Sequence, residues 1–549
     1  MKINVKQAII RAERSRQKGA FSDAIRHAKP VFLKDDQNYD ALLILALSYL
    51  GSNNYSSALL YAQKIRECYP NHPNGAMVAS VALMGMRQNT AAVEVLESQL
   101  ELDPGNKALM FNLHSAYGGL ENHSKALTVA LDTVGLFPTD SDAYNNLGAS
   151  LSNIGRRGDA VIAFQTAVDL NPRNLTARLN LIHTKFKGEE NDAELVRALE
   201  AIKAEIRGTD LPQKRTMTGA IHNGAFAYFR LGQLTKGWES LEAGLSPEID
   251  SNRGRKPNRT FKAPRWNGEP LKGRRLMVWR EQGLGDEIMF GSMLSELSNQ
   301  DGEIVIECEP RLVEILQNSF PTYEIRSELY RGIYPFDSPK EDFDFQIPIA
   351  SLGGIYRKTI DAFHGGPYIK PLLEQVSDFS ARLKMFREQG KVLVGLCWRS
   401  GVVSPTRGAN YTLIEDWERL LRNDRVVVVN LQYGKCEEEV VAVEKNLGVT
   451  ILRWPDVSLQ NDQSKLAAII SSLDYVFSIG SAVAQLAGAV GTPTAMVALK
   501  PTWTSFGTDH YPFFSSIELF CGHQENILDA VEKSIKSFED RFFRPETLR

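Results

Sequence analysis

"RRLMVWREQGLGDEIMF", residues 274–290, passes from an unbroken apolar run into two glycines and an acid, and then into a helical pattern. That succession predicts a buried strand, a tight turn and a helix whose first turn carries Asp286. Gly283 and Gly285 permit positive φ and close backbone approach to a ligand, and Asp286 projects from the helix N-terminus beyond the strand. A cap on a tight turn is the alternative reading of the same acid. The spacing is not the dinucleotide GxGxxG, because position 288 is Ile.

Downstream the same alternation continues. "GEIVIECE", "FDFQIPI", "KVLVGLCW", "RVVVVNLQ", "GVTILRW", "LDYVFSIG", "PTAMVAL" and "SIELF" are short apolar runs separated by amphipathic stretches such as "LAAIISSL". Runs of this kind predict parallel strands buried on both faces, with crossover helices. They form two sets, about 270–385 and 391–525, and predict two Rossmann-like halves facing each other across a cleft. Ligands of open α/β sheets sit beyond the carboxyl ends of the strands, so the chemistry is expected there.

Upstream the period changes. Ala24, Ala58, Ala92, Ala126 and Ala160 recur every 34 residues, as do Pro70, Pro104, Pro138 and Pro172. A 34-residue unit with a small residue where two helices cross and a proline at the closing turn is the tetratricopeptide pattern. Five such units are expected from about residue 5 to 175, with a degenerate sixth in 220–245, where Gly224 and Ala227 take small-residue positions and Lys236 stands in place of alanine. Stacked helix pairs curve into a groove suited to an extended polypeptide. Asn112, Asn145, Asn146 and Asn180 recur on first-helix positions, where an amide offers a peptide backbone both donor and acceptor; a solvated surface is the plainer reading. The organisation expected is a repeat array at 1–187, a helical extension and basic linker at 188–270, and two α/β lobes at 271–388 and 389–549.

Composition narrows the function classes. A chain of 549 residues predicts two to four domains, and a formal charge of -3 with 43% apolar residues demands neither nucleic acid nor an anionic membrane. Cys68, Cys308, Cys397, Cys436 and Cys521 are odd in number and never paired as CxxC, which argues against a disulfide framework and a structural zinc site. The N-terminus lacks an apolar signal segment and no run is long enough to span a membrane, so a cytoplasmic protein is expected. The linker "SNRGRKPNRTFKAPRWNGEPLKGRR" (251–275) carries nine Lys and Arg against one Glu, and reads as a strap over an anionic donor or as a solvated run.

Taken in order, "WNGEPLKGRRLMVWREQGLGDEIMF", "FDFQIPIASLGG", "VGLCWRSG", "NLQYG" and "SIGSAVAQLAGAVGTPTAMVAL" resemble the bacterial TPR-linked glycosyltransferases whose C-terminal part is similar to the heptosyltransferases, enzymes of GT-B fold. The likeness covers roughly 260–530 plus the array, and the layout is similar to that of transferases that glycosylate flagellin. It implies that Asp286 is the base that takes a proton from a serine or threonine hydroxyl. The donor nucleotide is then expected at the turn glycines Gly283 and Gly285 and in the second half. There Trp398, Arg399, Ser400 and Arg407 follow a strand, and guanidinium groups neutralise phosphate. Gln432 and Tyr433 match family positions near the nucleoside, and the N–H groups of Ser481 and Ala482 open a helix that binds an anion. Gly480 and Gln485 depart from the family, which has an acid and a histidine in this loop. The departure points to a more anionic donor, such as a CMP-linked nonulosonic acid of the pseudaminic acid kind, or to a non-catalytic adaptor. Trp503 and "TDHYP" (508–512) wall the donor or pack helices. "DFD" at 342–344 imitates a metal-binding DxD but alternates as a half-buried strand does, so no metal and no cofactor beyond the nucleotide-sugar are expected.

Overall fold

The computed structural model describes residues 4–186, 191–205, 211–246, 254–256, 259–328, 342–401, 410–522 and 526–543. The chain divides into two compact units, Met1–Lys187 and Gly188–Arg549.

The first unit is a solenoid of five helix pairs closed by an eleventh helix, among the described residues. The pairs are α1 (Val5–Gln17) with α2 (Phe21–Lys34), α3 (Tyr39–Gly51) with α4 (Tyr55–Cys68), α5 (Pro73–Gly85) with α6 (Asn89–Leu102), α7 (Lys107–Gly119) with α8 (His123–Leu136), and α9 (Ser141–Asn153) with α10 (Arg157–Leu170); α11 is Leu175–Lys185. Three signals recur every 34 residues and define each pair. Asn38, Asn106, Asp140 and Asn174 cap first helices, each side chain accepting an orphan N–H of the opening turn. Gly19, Asn53, Arg87, Glu121 and Gly155 take positive φ in the turn between the two helices. The alanines at 24, 58, 92, 126 and 160 are the fourth residue of each second helix and are buried. Close packing follows from that smallness: a Cβ on Gly148 would lie 2.6 Å from the Phe164 ring.

The second unit opens with α12 (Asp192–Glu205), α13 (Leu211–Arg230) and α14 (Leu234–Glu242). Helices α13 and α14 are the degenerate sixth pair, but its register differs by one residue from the expectation. Gly232 has φ 68° at the turn position of Gly155, and Gly237, not Lys236, is the fourth residue of the second helix. Its Cβ would lie 2.4 Å from the Phe229 ring, so the pair crosses there as the others do. The partner position on the first helix falls on Ala225, one residue after Gly224, and Ala225 is buried.

Two parallel sheets follow. The first holds β1 (Arg275–Trp279), β2 (Glu303–Cys308), β3 (Glu324–Ser327) and β4 (Phe345–Pro348) in the order β3-β2-β1-β4. The second holds β5 (Val392–Cys397), β6 (Val426–Asn430), β7 (Tyr475–Ile479), β8 (Thr494–Ala498) and β9 (Ile517–Cys521) in the order β6-β5-β7-β8-β9. Helices α15 (Leu284–Gly291) after β1 and α16 (Ala482–Val490) after β7 lie where the two sheets approach each other. Two details depart from the sequence reading. "GVTILRW" contributes only an isolated bridge, Leu452 to Val429, and β3 is a strand the apolar pattern hid. An edge strand reading Glu-Ile-Arg-Ser carries one apolar residue, as charged edges do.

Among its described residues the basic strap is mixed: Lys256, Lys262, Lys272 and Arg274 are exposed, as in a solvated run, while the other arginines are paired. Arg255 is buried against Glu281 and Glu242, Arg259 pairs with Glu307, Arg265 with Glu242, and Arg275 with Glu324. Farther along, the Trp266 N–H donates to the Gln346 carbonyl (2.9 Å) and the Gln346 N–H to the Pro264 carbonyl (3.1 Å), so the strap covers the free edge of β4.

Candidate functional site

In each sheet the chain starts in the middle, adds strands to one side and then crosses to the other. The crossing points are β1, flanked by β2 and β4, and β5, flanked by β6 and β7. Crevices at the carboxyl ends of such strands are where α/β sheets take ligands. The turn 281–286 leaves β1 at its crossing point, and Trp398–Arg399 leaves β5 at the other.

Within the turn the glycines do a different job from the one expected. Gly283 has φ -90°, and the left-handed residue is Gln282, at φ 64°. A non-glycine residue there is strained, and the fold holds it from both sides: its N–H donates to the Lys256 carbonyl (2.5 Å) and its carbonyl accepts from Arg280 (3.0 Å). Gly285 serves close approach instead. A Cβ on it would stand 3.3 Å from Cα of Ala482, the first residue of α16. The two helix N-termini therefore abut, and Gly285 of the first sheet region meets Ala482 of the second.

Asp286 is half-buried and its Oδ2 accepts the Gly283 N–H at 3.1 Å, the reach-back of a third helical residue onto its cap. Beside it, Tyr511 is fully buried and donates to Gln485 Oε1 (3.0 Å) and to Met289 Sδ (3.2 Å), linking α16 to α15. Burial, first, and the nearby Asp286 charge, last, raise the Tyr511 phenol well above its ordinary range, so it stays a hydrogen-bond donor. Gly480 is exposed with open space where a side chain would stand, and the Ser481 hydroxyl caps α16 and meets Ser478 at 3.0 Å.

The residues after β5 and β6 are more internal than the sequence reading placed them. Trp398 is 0% exposed and its indole N–H donates to Glu439 (2.8 Å), so its ring belongs to the core of the second sheet and not to a donor surface. Gln432, 1% exposed, accepts the Arg399 N–H at 2.9 Å and ties the ends of β5 and β6 together; it too is a correction. Arg399 is paired with Glu439 and donates to the Lys435 carbonyl at 2.7 Å. Ser400 and Tyr433 are half-buried near it, and Arg407 lies outside the described residues. Trp503 packs against Phe226 and Phe229, ring centroids 5.5 and 5.4 Å apart, which is the packing reading of that aromatic. Asp342 of the "DFD" run is held by Arg326, whose hydrogen bonds lower its carboxyl to about 2, and Asp344 accepts the Arg275 N–H at 2.8 Å. A surface hollow of about 620 Å³ lies at the opposite end of the first sheet, where Arg275 and Glu303 open β1 and β2.

Sequence reasoning missed the acids flanking the turn. Glu287, next to Asp286, is buried, accepts the Glu309 N–H at 2.9 Å and lies 3.0 Å from Arg280 Nε. Burial pushes its carboxyl up to about 8, with Arg280 pulling the other way. A carboxyl raised in the fold holds a proton that the unfolded chain releases, so its stabilising contribution is complete below the ordinary glutamate range and drains as pH climbs through about 8. Wild type should therefore lose thermal stability relative to Glu287→Gln between about pH 5 and about pH 9. A difference in melting temperature that stays flat over that interval contradicts this.

In the first unit Asn180 Nδ2 donates to Asn145 Oδ1 at 2.9 Å, and Asn112 Nδ2 to Ser80 Oγ at 3.4 Å. Asn145 is 8% exposed with its oxygen occupied, so it is a rung between helices and not a clamp for a peptide. Asn112, Asn146 and Asn180 are half-buried and 34 residues apart.

The chain is thus a tetratricopeptide solenoid followed by a region of parallel sheets. Tetratricopeptide-repeat models match residues 11–73 and 141–174. It is similar to Protein FlbA of Caulobacter vibrioides, 28% identical over 532 residues that span 94% of this chain and 87% of FlbA. Over 102 residues, 19% of this chain, it is 28% identical to the small glutamine-rich tetratricopeptide repeat-containing protein 2 of Mycosarcoma maydis, of which that covers 29%. Among solved structures, a thermophilic TPR protein of Thermus thermophilus is similar at a TM-score of 0.30 and 18% identity, covering 33% of this chain and 98% of that one. MamA is similar at a TM-score of 0.27 and 23% identity, covering 30% and 95%. Among the described residues no helix is long and apolar enough to cross a membrane.

Proposed function

We propose that this protein is a cytoplasmic, metal-independent protein O-glycosyltransferase of GT-B type. The repeat array holds a polypeptide, flagellin being the first candidate, and the two-sheet region transfers a sugar from a nucleotide donor to a serine or threonine hydroxyl. The observation that carries the reading is the meeting of Gly285 with Ala482, which sets a carboxylate, Asp286, beside a helix N-terminus at the carboxyl ends of two parallel sheets. Asp286 takes the hydroxyl proton as the sugar leaves its nucleotide, and the N-terminus of α16 takes the phosphate charge. The open space at Gly480, where relatives of the resembled family carry an acid, suits an anionic donor such as a CMP-linked nonulosonic acid.

A second reading has its own support. Arg399 is already satisfied by Glu439 and Lys435, which fits an adaptor that binds protein through its repeats and retains the sheets as scaffold. Intact-mass measurement of flagellin after incubation with the full chain and UDP-, ADP-, GDP- or CMP-sugars separates the two. A mass gain with one donor supports the transferase; capture of flagellin with no gain from any donor supports the adaptor.

A further inference from the structure

The strap residue Arg255 sits where three segments converge. Its guanidinium donates Nε to Glu281 Oε2 (2.5 Å) and Nη1 to Glu242 Oε1 (2.9 Å), while Nη2 serves both Glu281 Oε1 and Ser351 Oγ, the latter at 2.9 Å. Arg255 and Glu281 are 1% and 0% exposed. Glu242 ends α14, Ser351 follows β4, and Glu281 opens the turn that carries Asp286. Glu281 also accepts the Ala350 N–H at 2.9 Å, and the Arg255 N–H donates to the Gly244 carbonyl at 2.8 Å. The next residue, Lys256, offers its carbonyl to the N–H of Gln282, the residue held at positive φ.

A buried ion pair is a poor way to gain stability, since apolar residues of similar volume do as well. What it supplies is geometry. The planar guanidinium addresses a carboxylate, a second carboxylate and a hydroxyl in fixed directions, which a lysine ammonium does not. Every side-chain partner except Glu242 belongs to the carboxyl ends of β1 and β4, the side on which the turn stands.

We propose that Arg255 is a positioning residue: it fastens the turn 281–286 to the helical extension and to the end of β4, and so sets the place of Asp286 relative to α16. The proposal rests on the reading of Asp286 as the base, and its test keeps the two apart. Hydrogen exchange of the full chain, followed by mass spectrometry, is compared for wild type, Arg255→Lys and Ser351→Ala, the last removing one partner and leaving the ion pair. Exchange at 281–288 should speed up at least about tenfold in Arg255→Lys and less in Ser351→Ala, with β5 and β7 unchanged. Faster exchange throughout the second unit, or none in the turn, overturns the proposal whatever Asp286 does. With the donor that the mass assay selects, Arg255→Lys should lose up to about 100-fold in kcat at nearly constant KM for both substrates. The same exchange should cost little in an Asp286→Asn background. An Asp286→Asn enzyme of wild-type rate sinks the base assignment alone, and a full further loss on adding Arg255→Lys sinks the positioning role alone.

Discussion

Asp286→Asn should lower the rate of sugar transfer by about 100- to 10,000-fold, the usual worth of a placed general base, with little change in melting temperature. The asymmetry arises because the side chain has two tasks. Its Oδ2 accepts the Gly283 N–H, and an asparagine oxygen accepts that bond equally well, so the opening of α15 survives. The amide cannot take a proton from an acceptor hydroxyl. Initial rates from intact-mass assays and melting curves on the same preparation decide it. A rate within about twofold of wild type would make Asp286 a cap only and would sink its assignment as the base. Binding of the polypeptide acceptor should be the same in both proteins, because the repeat groove is untouched.

The second large effect concerns stability. Trp238, on α14, is buried, donates its indole N–H to the Arg357 carbonyl at 2.7 Å, and packs edge-on to Phe229 at 4.6 Å. It also lies under Gly353, whose Cβ would stand 2.6 Å from the ring. Loop 503–507 reaches the same extension, where a Cβ on Gly507 would lie 2.4 Å from the Arg230 carbonyl. The extension therefore touches both sheet regions, and Trp238 is its anchor. Truncation to Ala should destabilise the second unit by about 3–5 kcal/mol, from the cavity and the lost contacts. Trp238→Phe keeps most of the volume and should cost far less, chiefly the hydrogen bond at about 1 kcal/mol. Chemical denaturation measures both; a cost below about 1 kcal/mol for the Ala variant would mean that the extension is not integral to the unit.

The array was legible because its determinants are local and repeated. Alanine at the crossing, an amide or acid at the first-helix cap and a positive-φ residue in the turn each act within one 34-residue unit, so their period is written in the chain. The parallel strands were legible for a related reason, since burial on both faces leaves unbroken apolar runs. What failed were positions without that signature. β3 is a charged edge, and the sixth pair slipped by one residue because its marker was Gly237 and no alanine stands there.

The site was legible only in part. Sequence order placed the glycine turn after β1 and the small-residue helix after β7, and the motif resemblance joined them. Which side chains face outward was another matter. Trp398 and Gln432 turn inward to Glu439 and to the Arg399 backbone, since a strand end has two sides and the choice depends on what packs behind it. The strap is the clearest case: nine basic residues with one acid in sequence look exposed, yet the acids that neutralise several of the arginines sit at 242, 281, 307 and 324. Local pattern alone determined the repeats, most of the strands and the position of the turn. Tertiary structure alone decided which charges were paired, which residue took the strained conformation, and which helix start Gly285 met, because each of these depends on groups brought together from distant parts of the chain.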